Sequence, residues 1–260
     1  MDKDDQLLIA QTEDRTGQCV SRSMVTAGTF LDMHQQSVLR NYYAGKRTEC
    51  RLAYYGGYSD AERVVCFCLP DYVAEGYEDE YYADVLKVIR VSHSRRAVAG
   101  ASGRELKHGD YLGSVLGLGI TRESVGDILV RDDGADIVVL AGVSEFILNE
   151  LKTVGRSAVE VAEEAIGNII IPEREYEEFT DSVASLRLDN VVSAAFKIQR
   201  SQAQEAIKEG IVFVNSVEAL KPDRDVSEGD TLVLRHKGKV VLSEVGGVSR
   251  KGRTFVKFRK

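Results

Sequence analysis

Between residues 86 and 162 the apolar positions switch back and forth between two spacings, and the order of those switches restricts the fold more than any other feature of the chain. Alternate in-and-out residues mark strands, whereas recurrence at three and four marks helices. The pattern places strands at 86–91, 127–131, 136–140 and 158–162, with helices at 110–118 and 143–151. Strand, helix, two strands, helix, strand suits a small α+β domain of the ferredoxin-like, RRM-type kind. RNA-binding domains of that type stack bases on aromatic side chains of the sheet. The central strands, 85–91 and 134–140, contain no aromatic residue, so base stacking on this sheet is not expected.

Upstream, Leu7 and Leu8 lie on one face of a polar helix, and 30–39 again has helical spacing. Residues 51–55 and 63–69 read as strands, with Gly56-Gly57-Tyr58-Ser59-Asp60 as the turn of a hairpin. Downstream, the Glu-rich stretch 172–181 reads as a solvated linker or a short charged helix. The expectation is a multi-domain α+β protein, since 260 residues exceed one ordinary compact domain. Its parts are an N-terminal helical and hairpin unit (1–75), an RRM-like domain (76–168), an acidic linker (169–184) and a C-terminal α+β domain (185–260).

Charge is distributed unevenly over these parts. The chain carries a net charge of −7, yet from Ser185 onward it has 15 Lys+Arg against 9 Asp+Glu, and before it 19 against 32. A basic module on an acidic body points to a polyanionic partner for the module. No run approaches the roughly 18 apolar residues that a membrane span requires, and Met1-Asp2-Lys3-Asp4-Asp5 is the opposite of a secretory leader, so a cytoplasmic protein with no membrane partner is expected.

The chemistry-bearing residues give little sign of an enzyme. Cys19, Cys50, Cys66 and Cys68 form no Cys-x-x-Cys pair, and buried thiols are the simpler reading than metal ligands. Gly117-Leu118-Gly119 begins like a dinucleotide fingerprint, but Arg122 stands where its third glycine belongs. Close packing of a helix through Gly113 and Gly117, with Gly119 at its end, is the alternative. Asp110 and Asp127 read as a helix-start residue and a turn residue, with no nucleophile beside them. No cofactor and no metal are expected.

In the basic module, Leu188, Val191, Val192 and Ala195 mark one helix, and Ala203, Ala206 and Ile207 a second that ends at Gly210. Strands follow at 211–214, 231–235, 239–242 and 254–258, with Gly246-Gly247 as a turn. On the second helix Arg200, Gln204 and Lys208 fall at i, i+4 and i+8, a cationic stripe with Lys197 just before it and Ser201 at the helix start. Arg235 and Lys237 add charge in the later hairpin.

Ser185-Leu186-Arg187-Leu188-Asp189, the run 196–210, Val212-Phe213-Val214-Asn215 and Glu228-Gly229-Asp230 resemble the successive landmarks of the S-four RNA-binding domain, with Ser216 where that family often has glycine. The resemblance places Arg187, Lys197, Arg200, Ser201, Gln204 and Lys208 at or near RNA-facing positions. Leu106 to Arg122, Gly126-Asp127-Ile128-Leu129-Val130 and the Gly56-Gly57-Tyr58 turn are similar to the bacterial YlmH family, over nearly the whole chain.

That resemblance implies a protein that binds structured RNA on the large ribosomal subunit, with rRNA and tRNA as partners, and that stabilises peptidyl-tRNA on stalled subunits in ribosome-associated quality control; a monomer is expected. His93, Arg95, Arg96, His108 and Arg122 make a second RNA patch if their loops converge. The rival readings are an RNA-modifying enzyme of the pseudouridine synthase or methyltransferase type, and a cell-division or stress adaptor in which RNA binding is incidental.

Overall fold

The computed structural model describes residues 3–93, 105–172 and 177–260. They divide into two compact units, 1–35 with 42–173, and 36–41 with 174–260. Elements are numbered in chain order.

The first unit is layered. Its outer helix α1 (Lys3–Arg22) covers an antiparallel sheet of β1 (Thr26–Leu31), β2 (Arg51–Tyr55) and β3 (Val64–Leu69), in the order β1-β3-β2. Cys19 of α1 joins Cys50 and Cys68 in a buried cluster, its thiol 3.3 Å from the Cys68 carbonyl. Burial pushes the Cys19 and Cys68 thiols up to about 12, so both stay protonated and serve as packing groups.

The helix expected over 30–39 starts only at Met33, because Phe30 and Leu31 complete β1 and Asp32 caps α2 (Met33–Tyr43). The Asp32 carboxylate accepts from the Gln35 N–H at 2.9 Å, and the Gln35 side chain accepts in return from the Asp32 N–H at 2.9 Å.

After α3 (Asp79–Val85), a second antiparallel sheet runs in the order β5-β6-β4-β9, from β4 (Leu86–Ser92), β5 (Val125–Arg131), β6 (Gly134–Leu140) and β9 (Glu160–Glu164). α4 (His108–Gly117) and α5 (Ala141–Glu150) lie in its connections, and a two-residue pair, β7 (Thr153–Val154) with β8 (Ser157–Ala158), precedes β9. Alternation sorts the side chains. Ile89, Val91, Ile137 and Val139 pack with Tyr111 and Val115 of α4 and Ile147 of α5. Leu86 and Val138 point the other way, into Phe30, Val65 and Phe67 of the first sheet. Both faces of this sheet are therefore covered, and β6 is buried along nearly its whole length.

Gly113 and Gly117 do not pack α4 on the sheet, as the sequence suggests. Both are exposed with open space around the Cα, because Tyr111 and Val115 make the contact instead. Gly119 does close the helix, at φ 89°. Asp127 is not a turn residue but lies within β5, where it holds the β2–β3 hairpin. Its carboxylate accepts from the Tyr58 hydroxyl at 2.8 Å and from the Glu62 and Arg63 N–H groups at 2.7 and 3.1 Å. Gly56 is required beside it, since a Cβ there would lie 2.2 Å from the Arg63 carbonyl oxygen.

The second unit is one antiparallel sheet, β10-β15-β14-β13-β11-β12, under two helices. Its elements are β10 (Glu178–Val183), α6 (Leu188–Phe196), α7 (Arg200–Lys208), β11 (Val212–Val214), β12 (Val217–Glu218), β13 (Thr231–Leu234), β14 (Gly238–Val248) and β15 (Thr254–Arg259). β10 occupies part of the segment expected to be a linker. Phe179 and Val183 join the core, while Glu178 lies on the outer face and pairs with Lys257 at 2.6 Å. Gly246 and Gly247 likewise sit inside β14, and the turn comes later, with Gly252 N–H donating to the Ser249 carbonyl at 2.9 Å.

Val214 pairs with Val217, leaving Asn215 and Ser216 as a two-residue hairpin turn with φ 52° and 64°. Such turns need left-handed backbone at both positions, which a serine adopts at a cost. Ser216→Gly is expected to stabilise the protein by about 1 kcal/mol, read as a raised urea midpoint; an unchanged or lowered midpoint contradicts the turn geometry.

Candidate nucleic-acid interface

Two short helices set the geometry of the basic unit. Leu188, Val191, Val192 and Ala195 of α6 and Ala203, Ala206 and Ile207 of α7 are buried together in the core. Between the helices, Lys197 takes a left-handed conformation (φ 50°, ψ 50°) that ends α6 and turns the chain into α7. The polar faces that remain carry the cationic residues.

At their centre is a buried anion. The Asp189 side chain has no solvent exposure. Its Oδ2 accepts from Arg200 Nε and Nη2 at 3.0 and 2.9 Å and from Gln204 Nε2 at 2.7 Å, while Oδ1 faces Arg187 Nε at 3.4 Å. Burial alone would raise the Asp189 pKa, but hydrogen bonds from Gln204, Arg200 and Arg187 outweigh it and hold the carboxyl below the usual range. The group is therefore a carboxylate at neutral pH.

One negative charge thus faces two guanidiniums, and a positive surplus remains. Arg200 is 52% exposed although one edge is locked on Asp189, so it offers its other N–H groups to solvent from a fixed orientation. A guanidinium held in this way loses little conformational freedom when it binds a phosphate. The cationic stripe expected from spacing is in this sense a clasp. Arg187, Arg200 and Gln204 converge on Asp189, and Ser201 and Lys208 are exposed on the same helix.

Lys197 lies with its Nζ 5.1 Å from the centre of the Phe179 ring. Lys197, Phe179 and Lys237 of the β13–β14 turn line one groove, and Arg235 sits 5.7 Å over the Phe213 ring. The residues of the second patch are placed differently. Arg95 and Arg96 lie outside the described residues. His93 Nε2 is 3.0 Å from the Tyr111 hydroxyl, and His108 is exposed at the start of α4. Arg122 follows the other end of that ten-residue helix, about 15 Å away along the axis. It is turned onto backbone, donating to the Val125 carbonyl and, at 3.2 Å, to that of Gly126, and burial lowers its pKa. His93 and His108 thus both lie by the first turn of α4, while Arg122 comes after its far end.

Asp189 itself was not legible as a functional residue. The available signal was an acidic side chain beside Leu188 at the start of an apolar helix face, with arginines at 187 and 200 in reach.

Comparison with known proteins agrees with this arrangement. Residues 101–168 match the family model described as a putative RNA-binding domain in YlmH, and residues 186–232 match the S4 domain. Over 231 residues the chain is 29% identical to the ribosome-associated protein quality control protein P2 of Bacillus subtilis (strain 168), spanning 89% of this chain and 85% of that protein. The chain is similar to the YlmH family in both matched segments and over most of its length. Among solved structures, the YlmH cell division protein from Streptococcus pneumoniae is similar at 21% identity with a TM-score of 0.49, over 65% of this chain and 97% of that one. Neither matching family model describes an enzyme. In the second unit, β10, β14 and β15 lie outside the residues matched by the S4 domain.

The Asp189 clasp has a pH signature. With its pKa lower in the folded than in the unfolded chain, it stabilises fully above about pH 4 and the contribution is lost as pH falls through the folded value. Asp189→Asn should cost about 3 kcal/mol at pH 7, read by urea unfolding, and the gap to the wild type should narrow on going to pH 3. A gap that is constant with pH would show that the carboxylate charge is not what holds the helices.

Proposed function

We propose that the protein is a ribosome-associated RNA-binding factor that holds rRNA of the large subunit through the α6–α7 face and stabilises peptidyl-tRNA on stalled subunits. The observation that carries this reading is the Asp189 clasp, which fixes an exposed guanidinium on a helix that also carries the exposed Lys208. The match to the S4 domain and the name of the Bacillus subtilis relative support the same assignment. Phosphate contacts from preset cations position a folded RNA without reading its sequence, so shape rather than base identity selects the target.

The first unit has a different part in this reading. It is an RRM-like domain by its βαββαβ order and its β5-β6-β4-β9 sheet, with β1–β3 laid over the face on which such domains stack bases. It serves as a body that contacts tRNA, ribosomal protein or another factor by its rim. The protein acts as a cytoplasmic monomer without a cofactor. No described helix is long and apolar enough to cross a membrane.

Sedimentation tests the assignment. The protein should co-migrate with large subunits at low salt and dissociate as salt is raised. Lys197→Glu with Lys208→Glu leaves the Asp189 hydrogen bonds untouched and should lower affinity at least tenfold; undiminished co-migration of the folded double variant would exclude the α6–α7 face as the contact.

A further inference from the structure

Beside the clasp, the second unit has a groove of about 300 Å³ whose lining includes Glu177, Phe179, Phe196, Lys197, Lys237 and Lys260. Phe179 comes from β10, and Lys237 and Lys260 from beyond residue 232, so most of it is supplied by parts of the chain outside the residues matched by the S4 domain. Phe179 and Phe196 are only partly buried, packed by one side on the core and open on the other. Lys197, Lys237 and Lys260 are exposed and line it from three separate elements of the chain. The Lys197 ammonium rests 5.1 Å from the centre of the Phe179 ring, so cation and aromatic ring are neighbours in the groove.

We propose that this groove holds one unstacked nucleotide of a single-stranded RNA segment adjoining the structured RNA on the α6–α7 face. The inference rests on the RNA-binding reading given above and deepens it. Three convergent ammonium groups fit a phosphate, and half-open aromatic rings fit the face of a base, the combination by which single-stranded nucleic acid is held. The volume is at the small end of the range for ligand sites and suits a single nucleotide rather than a duplex. Glu177, the acceptor among the charged lining groups, offers a partner to a base N–H and disfavours a bare polyanion. The β10–β15 ladder keeps the wall in place, with Glu177 and Lys260 exchanging backbone hydrogen bonds at 3.1 and 3.0 Å.

Fluorescence anisotropy with the full-length protein tests this, using a short single-stranded RNA, a duplex RNA of the same length, and a hairpin with a single-stranded flank. Phe179→Leu keeps apolar volume and removes the aromatic face; it should weaken binding of the single strand and the flanked hairpin about tenfold and leave the blunt duplex unaffected. Lys237→Glu, on an exposed turn, should do the same and reduce the salt slope for the single strand by about one, which keeps the test valid if Phe179→Leu folds poorly. Equal losses for all three RNAs, or no loss for the single strand with either variant, would overturn the groove while the ribosomal reading stood. A wild-type protein that bound none of the RNAs and no large subunits would remove both.

Discussion

A single buried carboxylate organises the part of this protein that carries its surplus of positive charge. Asp189 sits without solvent exposure between two helices, and its three partners come from two segments: Arg187 before α6, and Arg200 and Gln204 on α7. An isolated anion in that position would be strongly unfavourable, so the charge persists because every strong partner is present. The same contacts fix the crossing of α6 and α7 and the direction in which Arg200 points. Helix packing and the setting of Arg200 are consequently joined at one group, which makes this basic surface rigid as well as charged.

The first unit solves a comparable problem for a different end. Asp136 is also fully buried and accepts from Arg90 at 2.9 and 2.8 Å, from Arg131 at 2.6 Å and from the Ile170 N–H at 2.9 Å. Here the guanidiniums are used up in closing the sheet, with Arg131 only 10% exposed. Comparable ion pairing thus gives a structural staple in one unit and a presented cation in the other, and exposure of the arginine separates the two. The covered sheet follows the same logic. Once Phe30, Val65 and Phe67 are packed against Leu86 and Val138, that face has no room for a base, and its lack of aromatic residues is a consequence.

Much of the architecture could be read from residue spacing, because alternation and helical recurrence are local. Four strands and two helices between 86 and 164 were legible for that reason, and so were α6 and α7, whereas β7, β8 and the turn between β14 and β15 were not. What could not be read depends on partners far away in sequence. β10 looks like a charged linker because Glu178 and its neighbours hide a two-residue alternation that only pairing with β15 makes meaningful. β1 merged with α2 in the pattern because Phe30 and Leu31 suit either element until Asp32 sets the boundary. At the site, spacing on α7 put Arg200, Gln204 and Lys208 on one stripe, but it could not show that the first two reach back to an anion on α6. Arg122 is the converse case: a cation that looked available is spent on the carbonyls of Val125 and Gly126.

The most direct measurement is crosslinking of the intact protein to RNA in cells, with the modified peptides identified by mass spectrometry and the attached RNA sequenced. If the account is right, crosslinked peptides cluster in 177–208 and 235–239 and carry large-subunit rRNA. Crosslinks confined to residues 3–172, or an RNA population without rRNA, would contradict it.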